Sequence, residues 1–130
     1  MKISAVHHIA IICSDYERSK EFYVNTLGFT VRHEVYRAER QSYKLDLDIN
    51  GQYQIELFSF PNCPPRPSYP EARGLRHLAF SVPDIDAAVA ELAAKAVSCE
   101  PIRIDEITGQ RFTFFADPDG LPLELYESPL

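Results

Sequence analysis

The stretch HIAIICSD, from His8 to Asp15, is repeated in outline by HLAFSVPD, from His77 to Asp84. In both stretches a histidine is followed by alternating apolar residues, with an alanine two places on and an aspartate at the end. Such alternation predicts a half-buried β-strand, and an aspartate directly after it is a preferred helix N-cap. The recurrence therefore predicts one strand-and-helix unit that is used twice.

A helical pattern follows each of these strands. The first is YERSKEFYVNTLGF, directly after Asp15, and the second is IDAAVAELAAKAV, directly after Asp84. Their apolar residues recur at the three- and four-residue spacing of one helix face. Asp15 or Ser14 can cap the first helix and Asp84 the second, while Gly28 fits a C-terminal cap.

Beyond each helix the pattern changes to strands joined by tight turns. SYKLDLDI leads through Asn50-Gly51 into QYQIELFSF, and QRFTFFA leads through DPDG into LPLELYES. Asn-Gly between alternating apolar runs is a strong hairpin signal. Each returning strand carries one glutamate between large apolar residues, Glu56 in the first half and Glu124 in the second. Each glutamate follows its histidine at nearly the same interval, which strengthens the case for duplication.

The whole chain is predicted to be one α+β domain made of two βαβββ modules. We place module one at about residues 4–60, a linker at about 61–74 and module two at about 75–128, within a single domain of 1–130. The linker holds half of the ten prolines, which disfavour regular structure. A module this short cannot cover its own sheet, so we expect the two to share one core.

Composition narrows the class of protein. A net charge of −6 argues against a nucleic-acid surface, and no stretch has the apolar length of a membrane helix or a signal peptide. We therefore expect a cytoplasmic protein that acts without nucleic acid or membrane. Cys13, Cys63 and Cys99 are scattered and form no CxxC motif, so we expect reduced thiols and no disulfide.

Strand alternation predicts where the histidines and glutamates point. His8 shares a strand face with Ala10, and His77 shares one with Ala79, so small side chains leave space beside each imidazole. Each glutamate faces away from the apolar residues on either side of it. Alone, a strand histidine or glutamate is more often an ordinary core or surface residue. Four of them at matching places of a duplicated pattern favour a shared site.

Imidazole nitrogens and carboxylate oxygens are typical ligands of divalent transition metals. We predict that His8, Glu56, His77 and Glu124 bind one such ion. Because the set contains no thiolate, the candidates are nickel, zinc, cobalt, manganese and iron(II), in a site that keeps positions for water or substrate.

With these residues in view, the chain resembles the vicinal oxygen chelate superfamily, which includes glyoxalase I, epimerases, extradiol dioxygenases and bleomycin-resistance proteins. The likeness covers nearly the whole chain, through HHIAIICSDYERSKEFYVNTLGF, YQIELFSF, LRHLAFSVPDIDAAVAEL and FFADPDGLPLELYE. It implies paired βαβββ modules whose sheets curve around a metal, often in a homodimer. The glyoxalase I set of two histidines and two glutamates resembles the four residues above position for position, whereas His7 has no counterpart.

The resemblance implies a metal-dependent lyase or isomerase acting on a small-molecule carbonyl substrate. A metal-bound enediolate would be stabilised while a proton leaves the carbon beside the carbonyl. Glu124 is the implied catalytic base, with Glu56 as its competitor. An epimerase, an iron-dependent dioxygenase and a non-catalytic protein that sequesters a small ligand remain as alternatives. The site can form within one chain or between the exchanged modules of two chains.

No residues that would hold glutathione can be identified. Six basic residues could form an anion clamp, although each is more often an ordinary solvated side chain: Arg37, Arg40, Lys44, Arg73, Arg76 and Arg111. If a strand already includes position 76, Arg76 points to the face opposite His77.

Overall fold

In a computed structural model of the protein, which describes residues 1–128, the chain divides between Pro65 and Arg66 into two structural units. Each unit has a strand, a helix and three further strands, and its four strands form one sheet. The predicted α+β class and the repeated βαβββ order are confirmed.

The first unit, which we call module one, begins with a strand and a helix and ends with three antiparallel strands. The helix continues from an α-helical into a π-helical turn. The elements are β1 (Ile9–Cys13), α1 (Tyr16–Glu21) with its π-helical extension Phe22–Thr26, β2 (Thr30–Arg37), a 3₁₀ turn (Ala38–Arg40), β3 (Ser42–Ile49) and β4 (Gln52–Ser59).

The second unit, module two, repeats this order with a shorter outer strand. Its elements are β5 (Leu78–Val82), α2 (Ile85–Ala94), β6 (Arg103–Ile104), β7 (Arg111–Ala116) and β8 (Pro122–Glu127).

The two sheets have equivalent topologies. Their strand orders are β1-β4-β3-β2 and β5-β8-β7-β6, with the first two strands of each order parallel and the others antiparallel. The register is equivalent as well, because Glu56 pairs with Ala10 and Glu124 pairs with Ala79. Each glutamate therefore lies on an inner strand, beside the strand that its module's histidine precedes.

The helices begin where their capping residues predict. The Asp15 carboxylate accepts a hydrogen bond from the Arg18 backbone N–H at 3.2 Å, and the Asp84 carboxylate accepts one from Ala87 at 3.1 Å. Each bond satisfies an amide that the first helical turn leaves without a partner. Gly28, with a φ of 81°, follows the first helix in the left-handed conformation expected at a C-terminal cap.

The two predicted hairpin turns are also present. Asn50 and Gly51 both have positive φ, 51° and 78°, which matches the strand twist in a tight hairpin. In the second turn, the Asp117 carboxylate accepts hydrogen bonds from the backbone N–H groups of Asp119 and Leu121 at 2.9 and 3.0 Å. These turns bring β4 and β8 back along the sheets with their glutamates.

The core of each module lies on one face of its sheet. Ile55 and Leu57 on either side of Glu56, and Leu123 and Leu125 on either side of Glu124, are all buried. The opposite face of the first strands is open at Ala10 and Ala79, as alternation predicts.

Among the described residues none of the three cysteines forms a disulfide, and Cys13 is buried while Cys63 and Cys99 are partly buried. Burial raises the pKa of the Cys99 thiol. Within residues 1–128, none of the helices combines the length and the hydropathy that crossing a membrane requires.

Candidate metal centre

The first half of the candidate site lies in module one. His8 immediately precedes β1, and its Nε2 atom lies 3.2 Å from Oε1 of Glu56 on the neighbouring strand β4. Ala10, the strand partner of Glu56, has a side chain too small to separate the two groups. We call His8 and Glu56 the first half-site.

Module two repeats this arrangement. His77 immediately precedes β5, and its Nε2 atom lies 2.9 Å from Oε2 of Glu124 on β8. Ala79 takes the place of Ala10 as the strand partner of the glutamate. His77 and Glu124 form the second half-site. Within each module, the structure therefore brings together the two residues that the sequence predicts.

Further polar groups surround the first half-site. The Tyr53 hydroxyl donates a hydrogen bond to Oε2 of Glu56 at 2.6 Å, and the Lys44 ammonium lies 3.3 Å from the same oxygen. Lys44 also donates to Asp46, the residue that faces Glu56 across the sheet. Glu56 is thus held at one oxygen by two donors, while its other oxygen faces His8.

These contacts set the charge state of Glu56. Burial acts to raise the pKa of its carboxyl, but hydrogen bonds from Tyr53 and Lys44 and the charges of Lys44 and His8 outweigh burial and lower that pKa. Burial, with the hydrogen bond to Glu56, raises the pKa of the Tyr53 hydroxyl, which therefore remains a donor. The contacts therefore favour the ionised form of Glu56 and hold its side chain in position.

A β-bulge makes the Tyr53 contact possible. Residues three apart on a regular strand point to opposite faces, so Tyr53 and Glu56 would not meet. The pairing of β3 with β4 shifts between Leu47 and Asp48, whose partners are Ile55 and Tyr53. The extra residue in β4 turns Tyr53 to the side of Glu56, as bulges do beside functional groups.

The second half-site has apolar side chains where the first has polar ones. Phe114 faces Glu124 across the sheet at the position that Asp46 has in module one, and Phe112 corresponds to Lys44. The ring of Phe114 also meets the His77 ring edge to face, with centroids 5.0 Å apart. Among the described residues, the Glu124 side chain has its polar contact with His77 alone. Glu124 is buried, yet fewer bonds hold it in place.

The second nitrogens of the two imidazoles differ as well. Nδ1 of His8 lies 2.8 Å from Nδ1 of His7, and the His8 ring stacks on Tyr53 with centroids 5.5 Å apart. Nδ1 of His77 is buried and has no hydrogen-bond partner among residues 1–128. Every polar bond of the His77 side chain is thus made through Nε2, the atom that faces Glu124.

The two half-sites suit a divalent metal in donor type and spacing. Two ligand atoms side by side on an octahedral ion, with bonds of about 2.1 Å, lie about 3.0 Å apart. The nitrogen-to-oxygen distances of 3.2 and 2.9 Å match this spacing. Each half-site is a pair, however, and within residues 1–128 no group of three or more His, Cys, Asp or Glu side chains is arranged to hold a metal.

The residues of both half-sites lie inside a region that matches a known protein family. The model of the Glyoxalase/Bleomycin resistance protein/Dioxygenase superfamily matches residues 5–125. The chain belongs to this superfamily. The resemblance to the vicinal oxygen chelate superfamily is therefore confirmed.

The chain is also similar to individual proteins and to solved structures. The uncharacterized protein YaeR of Escherichia coli (strain K12) is 67% identical over 125 residues, 96% of this chain and 97% of that protein. The crystal structure of a glyoxalase family protein from Enterococcus faecalis is 50% identical, has a TM-score of 0.90 and is covered over 100% of its chain and 98% of this one. A 2-epi-5-epi-valiolone epimerase from Actinomyces sp. is 30% identical over 146 residues, 96% of this chain and 80% of the epimerase.

Five of the six basic residues considered for an anion clamp have partners in their own modules. Arg37 lies over Phe58, Arg40 lies over Phe60, Lys44 contacts Asp46 and Glu56, Arg111 pairs with Asp86 and Glu127, and Arg76 lies 3.5 Å from Glu71. Arg73 is exposed. Arg76 precedes β5, which begins only at Leu78, so alternation does not separate it from His77, and both side chains line one cavity.

Sequence reasoning missed several residues around the half-sites. It gave no role to Tyr53, whose side chain regular alternation would put on the other face. It named Lys44 as one of six residues that could form an anion clamp, and the structure places Lys44 against Asp46 and Glu56. Arg66 and Arg103, which line the cavity beside His77, were also overlooked. The extra residue in β4 breaks the regular alternation from which the neighbours of Glu56 could have been predicted.

Proposed function

We propose that His8, Glu56, His77 and Glu124 together bind one divalent metal ion, with two ligands from each module. The observation that carries the proposal is the repetition of the same His–Glu contact, at the same sheet register, in both modules. Two protein ligands are too few for a stable metal site, whereas the two pairs together supply four. The pairs combine either within one chain or between two chains of a homodimer.

The reaction that fits these residues is proton transfer at the carbon next to a carbonyl group. When bound, the metal supplies a Lewis acid that polarises the carbonyl. Glu124 takes the proton from the adjacent carbon, the electron pair of that bond moves to the carbonyl oxygen, and Glu124 then returns the proton. Among the described residues, the Glu124 side chain has its polar contact with His77 alone, so it can move toward the substrate. Tyr53 and Lys44, by contrast, hold Glu56 in place.

We propose a glyoxalase I-like lyase or isomerase acting on a small carbonyl compound in the cytoplasm. In this case the proton returns to the neighbouring carbon. Epimerisation is the second candidate, and the 30% identity with the 2-epi-5-epi-valiolone epimerase favours it. In an epimerase a proton returns to the same carbon from the other face, so a second acid–base group is needed there, and Glu56 is the candidate beside Glu124.

Deuterium incorporation separates these outcomes. Metal-free protein is loaded separately with nickel, zinc, cobalt, manganese or iron(II), and incubated in D₂O with methylglyoxal plus glutathione or with one stereoisomer of a 2-methyl-branched acyl thioester. Proton NMR then locates the deuterium. We expect metal-dependent conversion, with a lyase yielding a 2-hydroxyacyl thioester and an epimerase yielding inverted, deuterated thioester.

The His77→Ala variant is the control, because it removes one ligand and should abolish conversion with every metal. Three results would contradict the proposal. The first is conversion that is equally fast without metal. The second is oxygen consumption with iron(II), which indicates a dioxygenase. The third is saturable binding of these compounds without deuterium exchange, which indicates a sequestering protein.

A further inference from the structure

Module two contains a cavity beside the second half-site. Its volume is about 620 Å³, within the usual range for small-molecule sites. Its wall includes His77, Phe114 and three arginines, Arg66, Arg76 and Arg103. A residue of the candidate metal centre and a group of cations thus line the same open cavity.

The charge of this wall is opposite to that of the chain. The protein has a net charge of −6, yet three arginines face only two carboxylates, Glu71 and Glu100, around the cavity. Neither carboxylate neutralises its neighbour tightly, because Arg76 lies 3.5 Å from Glu71 and Arg103 lies 3.8 Å from Glu100, all on well-exposed side chains. The guanidinium groups of Arg76 and Arg103 keep donors for a ligand.

Arg66 has a different role from the other two arginines. Its guanidinium donates hydrogen bonds to the backbone carbonyls of Leu75 and Arg76, both at 2.9 Å, and to the Ser68 hydroxyl at 3.1 Å. These bonds fix the backbone that carries Arg76 and leads into His77. Arg66 is therefore a positioning residue for the cavity wall.

Arg103 is connected to the half-site through one aromatic ring. Its guanidinium lies over Phe114, 5.7 Å from the ring centroid, and over Phe112 at 5.0 Å. The same Phe114 ring contacts the His77 ring. Stacking on an aromatic face restricts the guanidinium while leaving its N–H edge available. Since one ring contacts both groups, a single small molecule can reach Arg103 and His77 at once.

We propose that this cavity binds the anionic end of the substrate, with Arg76 and Arg103 pairing with a carboxylate or a phosphate ester. The carbonyl end lies toward His77, and Phe114 contacts the carbon chain between the two ends. The substrate class is then a short carbonyl compound that bears one of these anions. The orientation of the carbonyl rests on the proposed function, whereas anion binding by the arginines does not.

The test measures anion binding to the full-length protein in the presence of a metal chelator. The result can then be interpreted even if the metal proposal fails. Isothermal titration calorimetry is carried out with pyruvate, with dihydroxyacetone phosphate and with the neutral hydroxyacetone. We expect both anions to bind more tightly than hydroxyacetone, and the tighter of the two identifies the preferred anion. Arg103→Gln and Arg76→Gln should each raise the Kd of that anion about tenfold.

Arg40→Gln is the matched control, because Arg40 also lies over a phenylalanine, Phe60 at 5.2 Å, but outside the cavity. It should leave the Kd unchanged, and Arg103→Lys should recover part of the loss while keeping the thermal melting of the wild type. The proposal is overturned if the anions bind no better than hydroxyacetone, or if Arg103→Gln and Arg40→Gln give the same Kd. Metal affinity, measured separately, should be equal in Arg103→Gln and wild type.

Discussion

The two modules present the same histidine–glutamate pair in different surroundings. Around Glu56, module one has Tyr53 and Lys44 as donors, while around Glu124 module two has Phe114 and Phe112 at the corresponding sheet positions. The strands, the register and the His–Glu contact are shared. The histidine–glutamate pair is thus common to both modules, and the neighbouring residues account for the difference in how firmly each carboxylate is held.

In the function proposed above, this difference gives each carboxylate a distinct task. A carboxylate with a lowered pKa and two donors on one oxygen is suited to remain a ligand, which describes Glu56. A buried carboxylate whose described polar contact is one imidazole can leave its position and accept a proton, which describes Glu124. Variants of these residues and of their neighbours test this division of roles.

The largest effect is expected from replacing the two glutamates in turn. Glu124→Gln keeps the shape of the side chain but removes the base, so kcat should fall at least about a hundredfold even at saturating metal. Glu56→Gln should mainly weaken metal binding, so that excess metal restores much of kcat. Steady-state kinetics over a metal titration checks both variants. The opposite pattern, with kcat recovered in Glu124→Gln and lost in Glu56→Gln, would exchange the two roles.

A smaller effect is expected from Tyr53→Phe. The variant loses the hydroxyl that donates to Glu56 but keeps the ring that stacks on His8. Metal affinity should fall about tenfold, as is usual when a group that orients a ligand is removed, with little change in kcat at saturating metal. Competition with a chromogenic chelator measures the Kd.

Tyr36→Phe is the matched control for this variant, because the half-exposed Tyr36 packs on Tyr43 and lies outside the half-site. Its metal affinity should equal that of the wild type. Equal affinities in Tyr53→Phe and Tyr36→Phe would show that the hydroxyl does not orient Glu56.

The smallest effect concerns stability rather than activity. Hydrogen bonds from the Arg111 guanidinium, and then from the backbone N–H of Ile85, lower the pKa of Glu127 below its ordinary value of 4.5. A carboxyl whose pKa is lower in the folded state stabilises the protein above the unfolded pKa, and this contribution is lost as pH falls. Glu127→Gln should therefore be slightly less stable than wild type near neutral pH.

The gap in the free energy of unfolding between wild type and Glu127→Gln should remain constant down to about pH 4.5 and shrink below that pH. Urea unfolding at a series of pH values measures the free energy of unfolding. A gap that widens as pH falls would contradict the assigned contacts of Glu127. Glu34→Gln offers the parallel case in module one, since hydrogen bonds from Lys20 and Tyr16 lower the pKa of Glu34.

Much of the fold could be predicted because local signals agreed with one another. The aspartate caps, the Asn50-Gly51 turn and the burial of Ile55 and Leu57 beside Glu56 depend on a few adjacent residues, and each was confirmed. The two His–Glu contacts followed from the same reasoning, because alternation and matched spacing place each pair on one face.

The surroundings of the glutamates could not be predicted, because they depend on register. Counting from the Asn50-Gly51 turn puts Leu45 opposite Glu56, but the extra residue in β4 moves Asp46 there and turns Tyr53 inward. Arg66 and Arg103 were missed for a related reason. Arg66 lies in irregular backbone and Arg103 in a strand of two residues, so no periodicity indicates which other side chains lie beside them.

Metal stoichiometry distinguishes one ion held by both modules from ions held by each module alone. Metal-free wild type, His8→Ala and His77→Ala are titrated with nickel or zinc by isothermal titration calorimetry. The account predicts one tightly bound ion per chain in the wild type, and its loss in both variants, because each removes a ligand of the same ion. Two independent ions per chain, or tight binding retained in either variant, would contradict it.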